Sequence, residues 1–308
     1  MVHRAAGLCA VVVVAGVTMT GAVATSRVSA PLPPSTSFAL APGDFSSGGQ
    51  IASQSTRTVS GVPFFTRMLR PGRIGSTTFL VAASLSLIEP DEGTAALGYA
   101  ELKAAAQTKA GRQAFAKEFA LEFVRGLESE SKGKAPLKVK STTVGAPVLI
   151  GATALRLPVT IKTNLGSLHL SVGVTQLERV VGILALIPDF NRAIRGADAT
   201  TAITDVQQHL HDAFTVANTA KPTISGTATQ GQVVTLDEGS WTGAPSGFTY
   251  AWSHCDANGA SCAPIAGATA KTYAVGAADV GFTLQVTVTG TNSVGSTQGV
   301  SAVTAVVS

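Results

Sequence analysis

Between residues 241 and 262 the chain carries its most constraining pattern. Phe248, Tyr250 and Trp252 alternate with Thr249 and Ala251, and Cys255 and Cys262 follow. Alternation with period two marks a strand with one face in a core, so Trp252 is expected as the bulkiest anchor of a β-rich unit. Asp256-Ala257-Asn258-Gly259 supplies turn chemistry between the cysteines. A bridge closing so short a loop would stabilise by about 2.5 kcal/mol through restriction of the unfolded chain. The alternative for the pair is half of a cysteine-based metal site, which needs two further ligands, and only His254 stands close in sequence.

The start of the chain bears on that choice. Met1-Val2-His3-Arg4, an apolar run from Ala5 to Val17 and a small-residue tail have the layout of a secretory signal peptide. Cleavage fits after Ala24 or after Ala30, and an uncleaved anchor is the alternative. Cys9 lies inside the apolar run, which argues against lipidation there. Removal of residues 1–24 leaves Cys255 and Cys262 as the only thiols, an even count in an oxidising compartment, so a disulfide is the expected reading. Residues 25–47 hold Pro31, Pro33, Pro34 and Pro42 among Ser and Ala and read as a linker. The 308 residues leave room for two domains, expected at 48–218 and 219–308, and 45% apolar against 13% charged content suits packed cores.

Within 48–218, extended runs are expected at 50–59, 63–69 and 77–87, the last two separated by a turn at Arg70-Pro71-Gly72-Arg73. Asp91 and Glu92 after Pro90 open a helix that Ala95 to Ala106 favours, and Thr108 is placed to cap a second. Strands follow over 137–144, 148–161, 168–174 and 179–187, with Asn164 and Gly166 marking a hairpin. Val180 to Ile187 is almost wholly apolar, as a central strand buried on both faces would be. A last helix, capped by Asp198 or Thr200, carries the stripe Ile203, Val206, Leu210 and Phe214. Strands, two helices, four strands and a helix give an α+β domain with helices packed on a largely antiparallel sheet.

Further on, Pro222, Ile224, Gly226, Gly231, Gly239-Ser240-Trp241-Thr242-Gly243, Tyr250-Ala251-Trp252, Cys255, Cys262, Ile265, Ala268, Tyr273, Asp279-Val280-Gly281, Leu284, Val286, Val288, Asn292 and Gly295 occur in a recognisable order and spacing. Over 221–308 the chain thereby resembles a bacterial immunoglobulin-like repeat of the kind found in secreted and surface proteins of actinobacteria. The resemblance implies an immunoglobulin-like β-sandwich with Trp241, Tyr250, Trp252 and Tyr273 in its core or turns, and a role as spacer, stalk or binding surface. The element order of 48–218 is similar to the PsbP-like α+β domains of secreted actinobacterial proteins. That similarity implies binding or sensing and assigns no residues.

Candidate chemistry is sparse. A formal net charge of +4 is too small to argue nucleic-acid binding, and export argues against it. Arg67, Arg70 and Arg73, and Lys132, Lys134, Lys138 and Lys140, read as solvated surface or as contacts for anionic envelope polymers or lipid headgroups. Asp205, His209, His211 and Asp212 are the nearest approach to a ligand cluster, yet a helix turns the two histidines apart, so exposed histidines are expected. His169 and Ser171 share a sheet face and would need an acid from another strand to act as a hydrolase. Phe115, Phe119 and Phe123 recur every four residues, as a core face or as the wall of a pocket for a small apolar ligand. No cofactor and no metal are expected. The function expected is a noncatalytic secreted or envelope-associated binding protein, with an envelope polymer, a lipid or another surface protein as partner. A carrier or sensor of an apolar ligand is the alternative, and a hydrolase the third reading.

Overall fold

A computed structural model of the chain describes residues 32–59, 62–79, 81–117, 138–188 and 191–308. It is mostly β-sheet with a few helices, and of the described residues 34–211 and 212–308 form two compact units. The division falls at His211/Asp212, within the last helix rather than after 218.

The first unit is built on an eight-stranded antiparallel sheet. Its strands are β2 (Ile51–Val59), β3 (Val62–Leu69), β6 (Val81–Ile88), β7 (Val139–Val144), β8 (Val148–Ile150), β9 (Ala154–Thr163), β10 (Ser167–Leu177) and β11 (Val180–Ile187). They run in the order β2-β3-β6-β11-β10-β9-β7, and β8 pairs the other half of β9's outer edge. A smaller sheet joins β1 (Ser47–Gly48), β4 (Gly72–Ile74) and β5 (Thr77–Phe79). The stretch expected as one strand from 77 to 87 is divided between two sheets: β5 pairs with β4 across a hairpin that turns at Gly75, whose φ of 55° suits glycine, while β6 pairs with β3 and β11 in the large sheet. β11 lies mid-sheet and is buried along its whole length.

Both faces of this sheet are covered. On one face Val172 stands opposite Ala185 and Leu157, and these rows continue through Leu168, Leu170, Val174, Ile183 and Leu85. Helix α1 (Glu92–Gln107) adds Ala95, Tyr99 and Ala106 to that core. It begins where Pro90 ends β6 and the Asp91 side chain accepts a hydrogen bond from Thr94 N at 2.7 Å. Helix α2 covers 109–117 up to the edge of the described residues. Helix α3 (Gly196–Phe214) covers the opposite face, with Ala199, Ala202, Ile203, Val206 and Leu210 buried. Its approach is close: a Cβ on Gly173 would lie 2.3 Å from Ile203 Cγ1, and one on Gly182 3.5 Å from Val206 Cγ1.

Residues 35–45 share the α3 side of the sheet. The sequence reads 25–47 as a linker, yet two 3-10 turns, Ser35–Phe38 and Pro42–Asp44, make a strap whose Phe38 and Leu40 are 0% exposed. Phe45 packs on Phe79 with ring centroids 5.0 Å apart. Proline and serine dominate the composition here, but three well-spaced apolar side chains are enough to bring the strap into the core.

The second unit is an all-β sandwich. One sheet orders β13 (Thr223–Ser225), β14 (Val233–Asp237) and β18 (Thr272–Ala274), and the other orders β17 (Ala263–Pro264), β16 (Gly247–Cys255), β19 (Thr283–Thr291) and β20 (Ser296–Val300). A short pair, β12 (Ala217–Ala220) with β15 (Ser240–Thr242), lies beside them. Val234, Leu236, Trp252, Leu284, Val286 and Val288 meet between the sheets. Residues 217–220, which straddle the domain boundary expected after 218, are strand β12.

Candidate functional site

Alternation along β16 puts Trp252 at the centre of the sandwich, 0% exposed, where its ring stacks on Tyr273 at 5.5 Å and its Nε1 donates to Ala270 O at 2.9 Å. Tyr250 and Phe248 on the same strand face are half-buried against that core. Trp241 meets Phe248 edge-on at 5.4 Å and donates from Nε1 to Glu238 O at 2.8 Å. Tyr250 OH donates to the Glu238 carboxylate, which also holds Lys271 Nζ at 2.8 Å. Burial, reinforced by Glu238, pushes the Tyr250 phenol well up from its ordinary value.

At the far end of β16, Cys255 and Cys262 are joined in a disulfide across the turn from Asp256 to Gly259. Beside it lies a buried polar cluster that the sequence does not announce. Asp279 is 1% exposed; it binds His254 Nε2, accepts from Tyr273 OH at 2.9 and 3.1 Å, and from Gly276 N at 2.6 Å. Burial alone would raise the Asp279 pKa, but the hydrogen bonds from His254, Gly276 and Tyr273 outweigh it and the result lies below the usual carboxylate value. Tyr273 is pushed up to about 12 by burial and by this neighbour. His254 also stacks on Phe282 at 5.0 Å. Phe282 is 42% exposed, with Val280 and Val306 beside it also exposed, since Gly281 N donates to Val307 O and Val307 N to Phe282 O.

In the first unit the predicted chemistry is distributed differently. Phe115 is half-buried and packs, with Leu102, Val139 and Val144, against the core on the α1 face. Phe119 and Phe123 lie outside the described residues, as do Lys132 and Lys134. His169 Nδ1 sits 3.2 Å from Thr160 Oγ1, and Ser171 Oγ is buried with no hydrogen-bond partner. No carboxylate is bonded to either among the described residues, so the acid of a hydrolytic triad is not at hand.

Two expectations are corrected. Arg67, grouped by sequence with a surface cluster, is 6% exposed and grips the strap: Nη1 donates to Leu40 O at 3.0 Å and Nη2 to Thr36 O at 3.1 Å, while Nε donates to Gln54 Oε1 at 3.2 Å. Arg70 and Arg73 are exposed. His209, expected to be exposed, is half-buried against the same strap, with Nδ1 3.0 Å from Ala39 O and Nε2 3.2 Å from Asp44 Oδ1. The hydrogen bond that His209 donates to Asp44 holds the His209 pKa above its ordinary value against the opposing effect of burial. Asp205, one turn earlier, is held up by burial and by Asp44. Strand alternation was the signal for Trp252, whereas no local pattern links His209 to a carbonyl 170 residues away.

Among the described residues no group of three or more His, Cys, Asp and Glu side chains is arranged to hold a metal, and no helix is long and apolar enough to cross a membrane. No protein-family profile and no curated protein matches the chain. Among solved structures it is similar to the extracellular domain of PknH from Mycobacterium tuberculosis, at a TM-score of 0.32 and 10% identity, covering 56% of this chain and 94% of that one.

Proposed function

We propose that this is a noncatalytic, exported protein of the cell envelope or its exterior, whose C-terminal unit is an immunoglobulin-like module that spaces and contacts. The strand order carries the reading. β13-β14-β18 facing β17-β16-β19-β20 corresponds to strands A-B-E facing C′-C-F-G of such sandwiches, with Trp252 on strand C at the centre of the core. In the antibody form a disulfide joins strands B and F; here the buried Val234 and Val286 occupy those strands, and the disulfide closes the turn after strand C instead. A disulfide between the two cysteines beyond the leader accords with an oxidising compartment.

The contact surface would be the end that displays Val280, Phe282 and Val306, because its polar neighbours His254, Tyr273 and Asp279 are committed to one another. Exposed apolar side chains grouped at one end of a sandwich mark an interaction site. A pull-down of the full chain against cell-wall and envelope-protein fractions tests this. Retention of an envelope component that drops about tenfold in a Val280→Ser, Phe282→Ser double variant supports it. Recovery of nothing by the parent chain overturns it.

A further inference from the structure

Beyond the apolar burial of Phe38, Leu40 and Phe45, the strap 35–45 is fastened by polar contacts that run mostly to its main-chain carbonyls. Arg67 donates to Thr36 O and Leu40 O, Ser86 Oγ donates to Phe38 O at 3.3 Å, and His209 meets Ala39 O. Asp44 adds a side-chain contact, again with His209; its other oxygen accepts from Ala41 N at 2.7 Å and closes the strap's own turn. Two cations therefore fasten the segment, one from β3 and one from α3. They differ in kind, because a guanidinium keeps its proton throughout the working range and an imidazole does not.

Proton counting at His209 makes that difference matter. A carbonyl oxygen only accepts, so the contact with Ala39 O requires hydrogen on Nδ1. A carboxylate only accepts, so the contact with Asp44 requires hydrogen on Nε2. Neutral imidazole carries one N–H and satisfies one of the two; imidazolium satisfies both. We propose that the strap is a proton-operated latch: as imidazolium, His209 ties Ala39 and Asp44 to α3, and loss of its proton frees the 41–45 half while Arg67 keeps hold of 36–40.

The carboxylates around His209 act in the same direction. Asp44 faces it from the strap, Asp205 lies one turn back on α3, and Arg67 faces Asp44 from β3. A histidine whose pKa is raised on seating the strap contributes stability that is complete below the ordinary value of about 6.5 and is lost as pH rises through the raised one. Asp205, also raised, has the same sign. Acid fastens the latch and alkali opens it, baring Phe79 where Phe45 had covered it.

Hydrogen exchange of the full chain, read by mass spectrometry from about pH 5 to about pH 9 and corrected for the intrinsic rate of each amide, tests the latch. In the parent chain, protection of the 38–46 peptide is expected to fall about tenfold or more with rising pH, while peptides from β10 and β11 stay protected. In His209→Gln, whose amide gains no charge, strap protection is expected to be low and independent of pH. A flat profile in the parent, or a pH dependence that survives in His209→Gln, overturns the proposal. A nitrogen-15 titration of the His209 ring adds an independent readout: a ring that is already neutral at about pH 6.5 overturns it too.

Discussion

A carboxylate loses several kcal/mol of hydration on burial, and what replaces that hydration decides whether the charge persists. At Asp279 the replacement is complete: one oxygen takes His254 and Tyr273, the other takes Gly276 N and a second contact with the same phenol. Asn292 shows the neutral counterpart, its Nδ2 donating at 2.7 Å to both Phe214 O and Gly243 O while Oδ1 accepts from Val294 N and Gly295 N. Charge-assisted bonds are worth about 1.5–3 kcal/mol each, so Asp279→Asn, which leaves an amide where acceptors are required, is expected to cost about 1–3 kcal/mol near neutral pH. Urea unfolding followed by tryptophan fluorescence reads this selectively, because Trp241 and Trp252 are the only tryptophans and both lie in 212–308. A depressed carboxylate pKa contributes stability above the ordinary value of about 3.9 that is lost as pH falls through the folded value. The acid limb of the parent curve should therefore be shallower in the variant. Tyr273, raised to about 12, adds stability that is present below its ordinary value and lost as pH climbs toward the raised one. Equal stability of parent and variant at neutral pH would refute the assignment.

The meeting of α3 with the sheet shows what pattern reading can and cannot reach. Leu168, Leu170, Val172 and Val174 declare one buried face of β10, and the stripe Ile203, Val206, Leu210 and Phe214 declares one buried face of α3. That they are not partners is invisible, because His169, Ser171 and Gly173 on the reverse face read alike whether they meet water or a helix. Gly173 settles it only in three dimensions, where its missing side chain is the space that Ile203 fills. Gly173→Ala places a methyl 2.3 Å from Ile203 Cγ1, on a side chain that is itself fully enclosed. Overpacking of this kind costs about 1–3 kcal/mol. The variant should exchange amide hydrogen faster across β10 and α3, with the sandwich peptides unchanged; unaltered protection in α3 would show that the helix can simply shift.

For the molecule as a whole, the legible parts are those governed by local repetition. Period-two alternation gives β16 and its Trp252, the apolar run gives the central strand β11, and the cysteine spacing gives the bridge. What could not be read depends on partners far apart in sequence: Arg67 with Thr36, His209 with Asp44, and hence the true start of the first unit. Composition marks 25–47 as a tether, yet Phe38, Leu40 and Phe45 are core residues, each worth about 1.5–3 kcal/mol when buried. Their sum is a large share of the roughly 5–15 kcal/mol by which a domain is stable. Removal of residues 1–30, up to the second of the two expected cleavage positions, leaves the strap intact and should leave the cooperative unfolding of the first unit unchanged. Removal of 1–47, which a linker would permit, also bares Arg67 and strips α3 of its contact with Asp44. That shortened chain is expected to lose protection throughout β3, β6 and α3 in hydrogen exchange, while tryptophan fluorescence still reports a folded sandwich. A shortened chain that kept native protection in those three elements would show that the strap is an ornament of the fold and not a part of its core.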